Sequence, residues 1–134
     1  MKAINFASES ILGEKIVLDK LRGNIVLLDF GGTWCAPCRE EIPNLKSIYD
    51  RYKIKNFIMI GIANDNLESL SKFVKENEIE WLQIIQEDDK SIISDYNVVG
   101  YPTTFLINEE GIIIAKGLRA DELSDKLAEI FNNK

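Results

Sequence analysis

Residues 24–43 read "NIVLLDFGGTWCAPCREEIP", an apolar run followed by two glycines, a cysteine pair and a polar stretch. The run from Asn24 to Phe30 is continuous in Ile, Val, Leu and Phe, the pattern of a strand buried on both faces. Beyond it Cys38, Ile42, Leu45, Ile48, Tyr49 and Tyr52 recur at steps of three and four, which predicts a helix with one buried face. A second apolar run, "NFIMIGIAN" (56–64), follows. Strand, helix and strand in that order predict a right-handed crossover in a parallel sheet. Pro43 falls inside the helical pattern and predicts a kink rather than a break, because the periodicity continues through Leu45 and Ile48.

Working outward, "DNLESLSKFVKEN" (65–77) predicts a helix capped at Asp65, with Glu68 three residues on and Leu67, Leu70, Phe73 and Val74 on one face. "EWLQIIQ" (80–86) reads as a strand and "KSIISDYN" (90–97) as a short helix turning Ile92, Ile93 and Tyr96 inward. "TTFLIN" and "GIIIAKG" flank "EEG" as an antiparallel hairpin whose Gly111 supplies a positive φ. "ADELSDKLAEIF" then sets Leu123, Leu127, Ile130 and Phe131 on one helical face. Upstream, "SILGEKIVLDKLRGN" predicts a small extra hairpin and a tight loop at Gly23. With no repeat, low-complexity tract or linker, residues 1–134 read as one domain. Within it, 1–23 is a hairpin extension and 65–97 an insertion between two halves.

Composition narrows the function classes. An apolar content of 46% in 134 residues suffices for a core without disulfide staples. The net charge of -6 comes without a Lys/Arg cluster, which argues against a nucleic-acid or anionic-membrane binder. Phe57 to Ala63, the longest apolar run, is too short to span a bilayer, so no membrane span is expected. "KENEIE" (75–80) and "EDDK" (87–90) read as solvated faces rather than acidic docking patches. "MKAINFASES" lacks the apolar core and cleavage site of a secretory signal.

Three chemistries compete for Cys35 and Cys38. A zinc site needs four ligands, and the chain has two cysteines and no histidine, so no metal is expected. A structural disulfide across so short a loop constrains the unfolded chain little, since its entropic gain grows with loop length. Redox exchange suits the spacing: at a helix start, positions i and i+3 lie one above the other. Cys35, at the helix N-terminus, gains thiolate stabilisation from free N–H groups and the helix dipole, and reads as the exposed nucleophile. Cys38, one turn deeper, reads as the shielded resolving thiol. Pro37 fits an early helical position. Trp34 reads either as a shield and contact surface for the disulfide or as a partly buried core aromatic.

At this point the chain resembles the thioredoxin superfamily, through "LLDFGGTWCAPC", Pro43 eight residues after Cys35, and "GYPTTFLIN" before the final hairpin. More narrowly it resembles the TlpA/ResA-type branch of extracytoplasmic thiol:disulfide oxidoreductases, with "SILGEKIVL", "REEIPNL" and the 65–97 segment matching that branch. The resemblance implies an α/β, three-layer thioredoxin fold: a central mixed sheet flanked by helices, with an N-terminal hairpin and a central helix/strand insertion. It also implies that Tyr101–Pro102 is a cis bond facing the cysteines, and that Tyr101 pairs with an extended substrate segment. Asp29, six residues before Cys35, matches a buried carboxylate that moves protons for the resolving thiol. Burial in an apolar strand would raise its pKa towards the range of a general base. The lysine that partners this carboxylate in ordinary thioredoxin is missing from Phe57 to Ala63. Asp65 is a second candidate for proton handling, against a helix-capping role.

The expected activity is reduction of protein disulfides by CxxC exchange, without metal or organic cofactor. Ala36–Pro37, close to thioredoxin's Gly-Pro, argues for a reductant. Expected partners are disulfide-containing proteins and an upstream thiol reductant, with a monomer working outside the cytoplasm and a cytoplasmic site as the alternative. A thiol peroxidase and a redox-silent peptide-binding module are the competing readings.

Overall fold

The computed structural model describes residues 1–132. In chain order the elements are β1 (Ala7–Glu9), β2 (Lys15–Val17), a 3-10 helix (Leu18–Leu21), β3 (Ile25–Gly31), α1 (Ala36–Tyr52), β4 (Phe57–Ala63), α2 (Leu67–Glu76), β5 (Leu82–Ile85), α3 (Ser91–Asp95), β6 (Thr103–Ile107), β7 (Ile113–Lys116) and α4 (Ala120–Asn132). The small hairpin β1–β2 stands apart as its own antiparallel pair, turned at Gly13, whose φ of 90° a side chain would strain. The main sheet has the order β5-β4-β3-β6-β7. Its first three strands are parallel, and β6 and β7 run antiparallel to their neighbours.

The alternation of side chains along β3 divides the core into two layers. Ile25 and Leu27 face one side, packed with Leu45, Ile48 and Tyr52 of α1 and with Leu123, Leu127 and Phe131 of α4. Val26, Leu28 and Phe30 face the other, with Ile92 and Ile93 of α3 and with Phe6, Ile16 and Leu18 from the N-terminal hairpin region. The sheet between two covering layers is the expected thioredoxin architecture. The β3 and β4 runs are continuous in apolar residues because both of their faces are covered.

Pro43 does not end α1, whose 17 residues continue past it to Tyr52. Two details of α2 differ from the sequence reading. Its N-cap is Asn66, whose side chain accepts from the Ser69 N–H at 2.8 Å, and not Asp65. Leu67, expected on the buried face, is 49% exposed because the helix begins with it, ahead of the first turn that meets the core. Leu70 is the residue of that face that buries fully.

Candidate active site

The Cys35–Cys38 disulfide sits where β3 hands the chain to α1, with Cα atoms 5.2 Å apart. Gly31 ends the strand so close to the helix that a Cβ there would stand 3.3 Å from Cys38 Sγ, tighter than ordinary packing. Cys35 is the N-cap of α1, and the backbone N–H of Cys38 donates to Cys35 Sγ at 3.2 Å. That amide is one of the unpaired donors at a helix start, and it would stabilise a Cys35 thiolate once the disulfide opens. Pro37 occupies the first turn, where its missing N–H costs nothing.

The expected order of exposure is reversed. Cys35 is only 4% exposed, whereas Cys38 is partly exposed and borders a cleft. In the disulfide state the Cys35 sulfur bonds Cys38 and accepts its backbone N–H. The helix terminus, and not accessibility in this state, is what would favour a Cys35 thiolate.

Behind the disulfide, Asp29 of β3 points to the α1 side of the sheet and lines a cavity of about 50 Å³ together with Cys38, Thr33, Gly61, Trp81 and Gln83. Burial among apolar strands, and then the negative charge of Glu41, push the Asp29 carboxyl from 3.8 up to about 7. A carboxyl at that value exchanges a proton readily near neutral pH. In register, Asp29 faces Gly61 of β4, so a glycine stands beside the carboxylate.

Glu41, which the sequence reading passed over, is 8% exposed. Both of its carboxylate oxygens accept from the Ala120 N–H at 2.9 Å, and Oε1 also accepts from Asn44 Nδ2 at 3.1 Å. It thereby pins the start of α4 to α1, at a residue held with φ 54°. The signal was present in the helical stripe: Glu41 is three residues beyond Cys38 and four before Leu45, on the buried face.

Asp65 does not cap α2; it ties the loop ahead of the cysteines to the end of β4. Asp65 Oδ2 accepts from both the backbone N–H and the hydroxyl of Thr33, each at 2.6 Å. Asn66 presents its Oδ1 to the Ser69 N–H as the cap, which leaves Asp65 to reach Thr33 in the loop after β3. Arg39 donates to the Thr33 carbonyl at 2.7 Å, closing the strap from α1.

Trp34 is 56% exposed, so it is a surface group and not a core aromatic. Its indole N–H donates to the Asn64 carbonyl at 2.8 Å, and its ring meets Tyr101 edge-on at 5.4 Å. Asn64 Nδ2 in turn donates to the Tyr101 hydroxyl at 3.2 Å. The Tyr101–Pro102 bond is cis. Val99, 98% exposed, and Arg119 join these two residues in lining an open groove of about 460 Å³. Trp34, Tyr101 and Pro102 are thus gathered by the β4 end and the β6 entry, while Pro43 stays on an exposed turn of α1.

Among the described residues, no three His, Cys, Asp or Glu side chains are grouped to hold a metal, and no helix is long and apolar enough to cross a membrane.

Comparison with known proteins matches this arrangement to one family. The AhpC/TSA family profile covers residues 1–116. The thiol-disulfide oxidoreductase ResA of Bacillus cereus is 37% identical over 116 residues, 86% of this chain and 66% of that protein. ResA of Bacillus thuringiensis is 33% identical over 129 residues, 96% of this chain and 73% of that protein. The chain therefore spans about two thirds to three quarters of the length of these relatives. Among solved structures, the thioredoxin domain of a thiol-disulfide oxidoreductase from Bacteroides vulgatus superposes with a TM-score of 0.90 at 30% identity, covering 97% of this chain and 95% of that one. A thiol:disulfide interchange protein from Bacteroides sp. gives 0.88 at 31% identity, covering 98% and 88%.

Proposed function

We propose that this chain, which belongs to the AhpC/TSA family and to its thioredoxin-fold thiol-disulfide oxidoreductases, works as a reductant of protein disulfides outside the cytoplasm. The observation that carries the reading is the disulfide-linked pair at the start of α1, with the Cys38 N–H aimed at Cys35 Sγ and a carboxyl near neutrality behind Cys38.

In the reduced enzyme the Cys35 thiolate attacks one sulfur of a substrate disulfide. A Cys35–substrate bond forms, and the second substrate sulfur leaves as a thiolate that takes up a proton. Cys38 then gives its proton to ionised Asp29, across the cavity that both line. The Cys38 thiolate attacks Cys35 Sγ, the Cys35–substrate bond breaks, and the substrate leaves with two electrons from the pair. Another thiol protein returns the Cys35–Cys38 disulfide to the dithiol. Trp34, Tyr101 and Pro102 form the contact surface for an extended substrate segment, supported by the edge-on ring pair and the adjoining groove. A reducing direction is supported by Ala36–Pro37, which places no titratable side chain between the cysteines. The compartment follows from the resemblance to the extracytoplasmic branch, and the enzyme acts as a monomer.

Trapping tests the roles. A Cys38→Ser protein accumulates mixed disulfides through Cys35, and peptide mapping that finds adducts only with Cys35→Ser overturns the assignment. A reduction potential measured against glutathione tests the direction. A value too oxidising to reduce substrates at the glutathione poise removes the reductase reading.

A further inference from the structure

Gly61 has no positive φ, so its backbone does not require a glycine. The space does. A Cβ built there would fall 2.5 Å from Gln83 Oε1 and 2.7 Å from Gln83 Nε2, far inside any real contact. The Gln83 carboxamide thus lies flat across the Cα of Gly61. Register sets Asp29, Gly61 and Gln83 side by side on β3, β4 and β5, and residues paired in this way project to the same face. One strand spacing, roughly 5 Å, separates the carboxamide from the strand that carries Asp29. That distance is within reach of a carboxylate, directly or through one water.

Gln83 is 8% exposed, and no hydrogen bond joins its carboxamide to another described residue. The carboxamide opens on the cleft that Asp29 also lines, so its donor and acceptor are free to bond a neighbouring group there. The other polar groups on the cavity wall are less suited. Thr33 is committed to Asp65, and Trp81, whose buried Nε1 has no partner, precedes β5 and is offset from Gln83 by roughly 7 Å along the strand direction. The titratable groups facing Asp29 are Cys38 and Glu41 from α1. The strands β4 and β5 and helix α2 contribute Gly61, Gln83, Leu70 and Phe73, none charged.

We infer that Gln83 is a positioning residue for the exchange reaction: its carboxamide, admitted by Gly61, donates to ionised Asp29 and holds that carboxylate toward Cys38. The inference rests on the proton-handling role of Asp29 for its effect on rate, but not for the contact itself. Gln83 here supplies a neutral donor from β5 beside a carboxylate whose β4 neighbour carries no side chain.

The test is a carboxyl titration by NMR with 13C-labelled aspartate, Asp29 being assigned from the Asp29→Asn spectrum. Removing a donor to the charged form raises the midpoint, so Gln83→Leu should shift Asp29 upward by about one pH unit. Gly61→Ala, which displaces the amide without removing it, should shift it the same way, and it serves if Gln83→Leu folds poorly. A midpoint that stays in place or falls in the folded variants overturns the contact. Release of the mixed disulfide at pH 7 should slow several-fold in Gln83→Leu and no further when that change is added to Asp29→Asn. If Asp29→Asn leaves release unchanged while Gln83→Leu still moves the midpoint, the proton-handling role falls and the contact stands. If Asp29→Asn slows release and neither variant moves the midpoint, the contact falls and the role stands.

Discussion

Replacing Asp29 by Asn should stabilise the oxidised protein, and by an amount that depends on pH. In the fold the carboxyl is raised from 3.8 to about 7, so between those values the folded chain holds a proton that the unfolded chain has lost. Stability contributed by this group therefore falls as pH rises above 3.8, and the loss is complete above about 7. A shift of roughly three units corresponds to about 4 kcal/mol at pH 8, to about 1.7 kcal/mol at pH 5 and to almost nothing at pH 3. Asn cannot ionise, and its other effects on packing are the same at every pH. The difference between the two proteins should thus grow by about 2.5 kcal/mol from pH 5 to pH 8 in favour of Asp29→Asn. Urea unfolding of both disulfide forms at a series of pH values measures this directly, provided the slopes agree. Parallel stability curves would refute the reasoning, since a carboxyl with an ordinary folded-state pKa gives a constant difference.

Other perturbations separate the parts of the site. Asp29→Asn should slow release of the trapped substrate most at pH 7 to 8, where the native carboxylate is largely ionised; release rates unchanged from pH 6 to 9 would remove Asp29 from the mechanism. Asp65→Ala removes two short bonds to Thr33 and should cost about 1–3 kcal/mol in denaturant unfolding. Asn66→Ala removes the α2 cap, at about 1 kcal/mol, and should weaken hydrogen-exchange protection in α2 where Asp65→Ala does not. Leu127→Ala, in the fully buried α4 face, should cost about 2–5 kcal/mol by leaving a cavity, with the exchange rate of the folded enzyme unaltered.

Much of the fold was legible because its signals are local. Continuous apolar runs mark β3 and β4, a three-four periodicity marks α1 through Pro43, and glycines mark the turns at Gly13 and Gly111. The cysteine pair was legible for the same reason, since its chemistry is set by spacing along one helical turn. Contacts between distant segments were harder. Asp65 and Asn66 are both good caps by residue type, and only the position of Thr33 across the sheet decides which of them caps and which straps the loop. Trp34 offered two roles until its exposure was known.

The sequence by itself therefore determined the order of elements, the redox pair and the presence of a carboxyl in a buried strand, because each depends on neighbours a few residues away. Tertiary structure alone decided what surrounds that carboxyl: Glu41 raising its pKa from α1, Gly61 leaving the space beside it, and Gln83 lying across that space from β5. It also decided that Cys35 is the more buried residue of the pair in the disulfide state. The physical reason is the same in each case. Charge, desolvation and steric exclusion act through space over a few ångströms, and strand register, which brings Asp29 beside Gly61 and Gly61 beside Gln83, is set by the packing of the whole sheet.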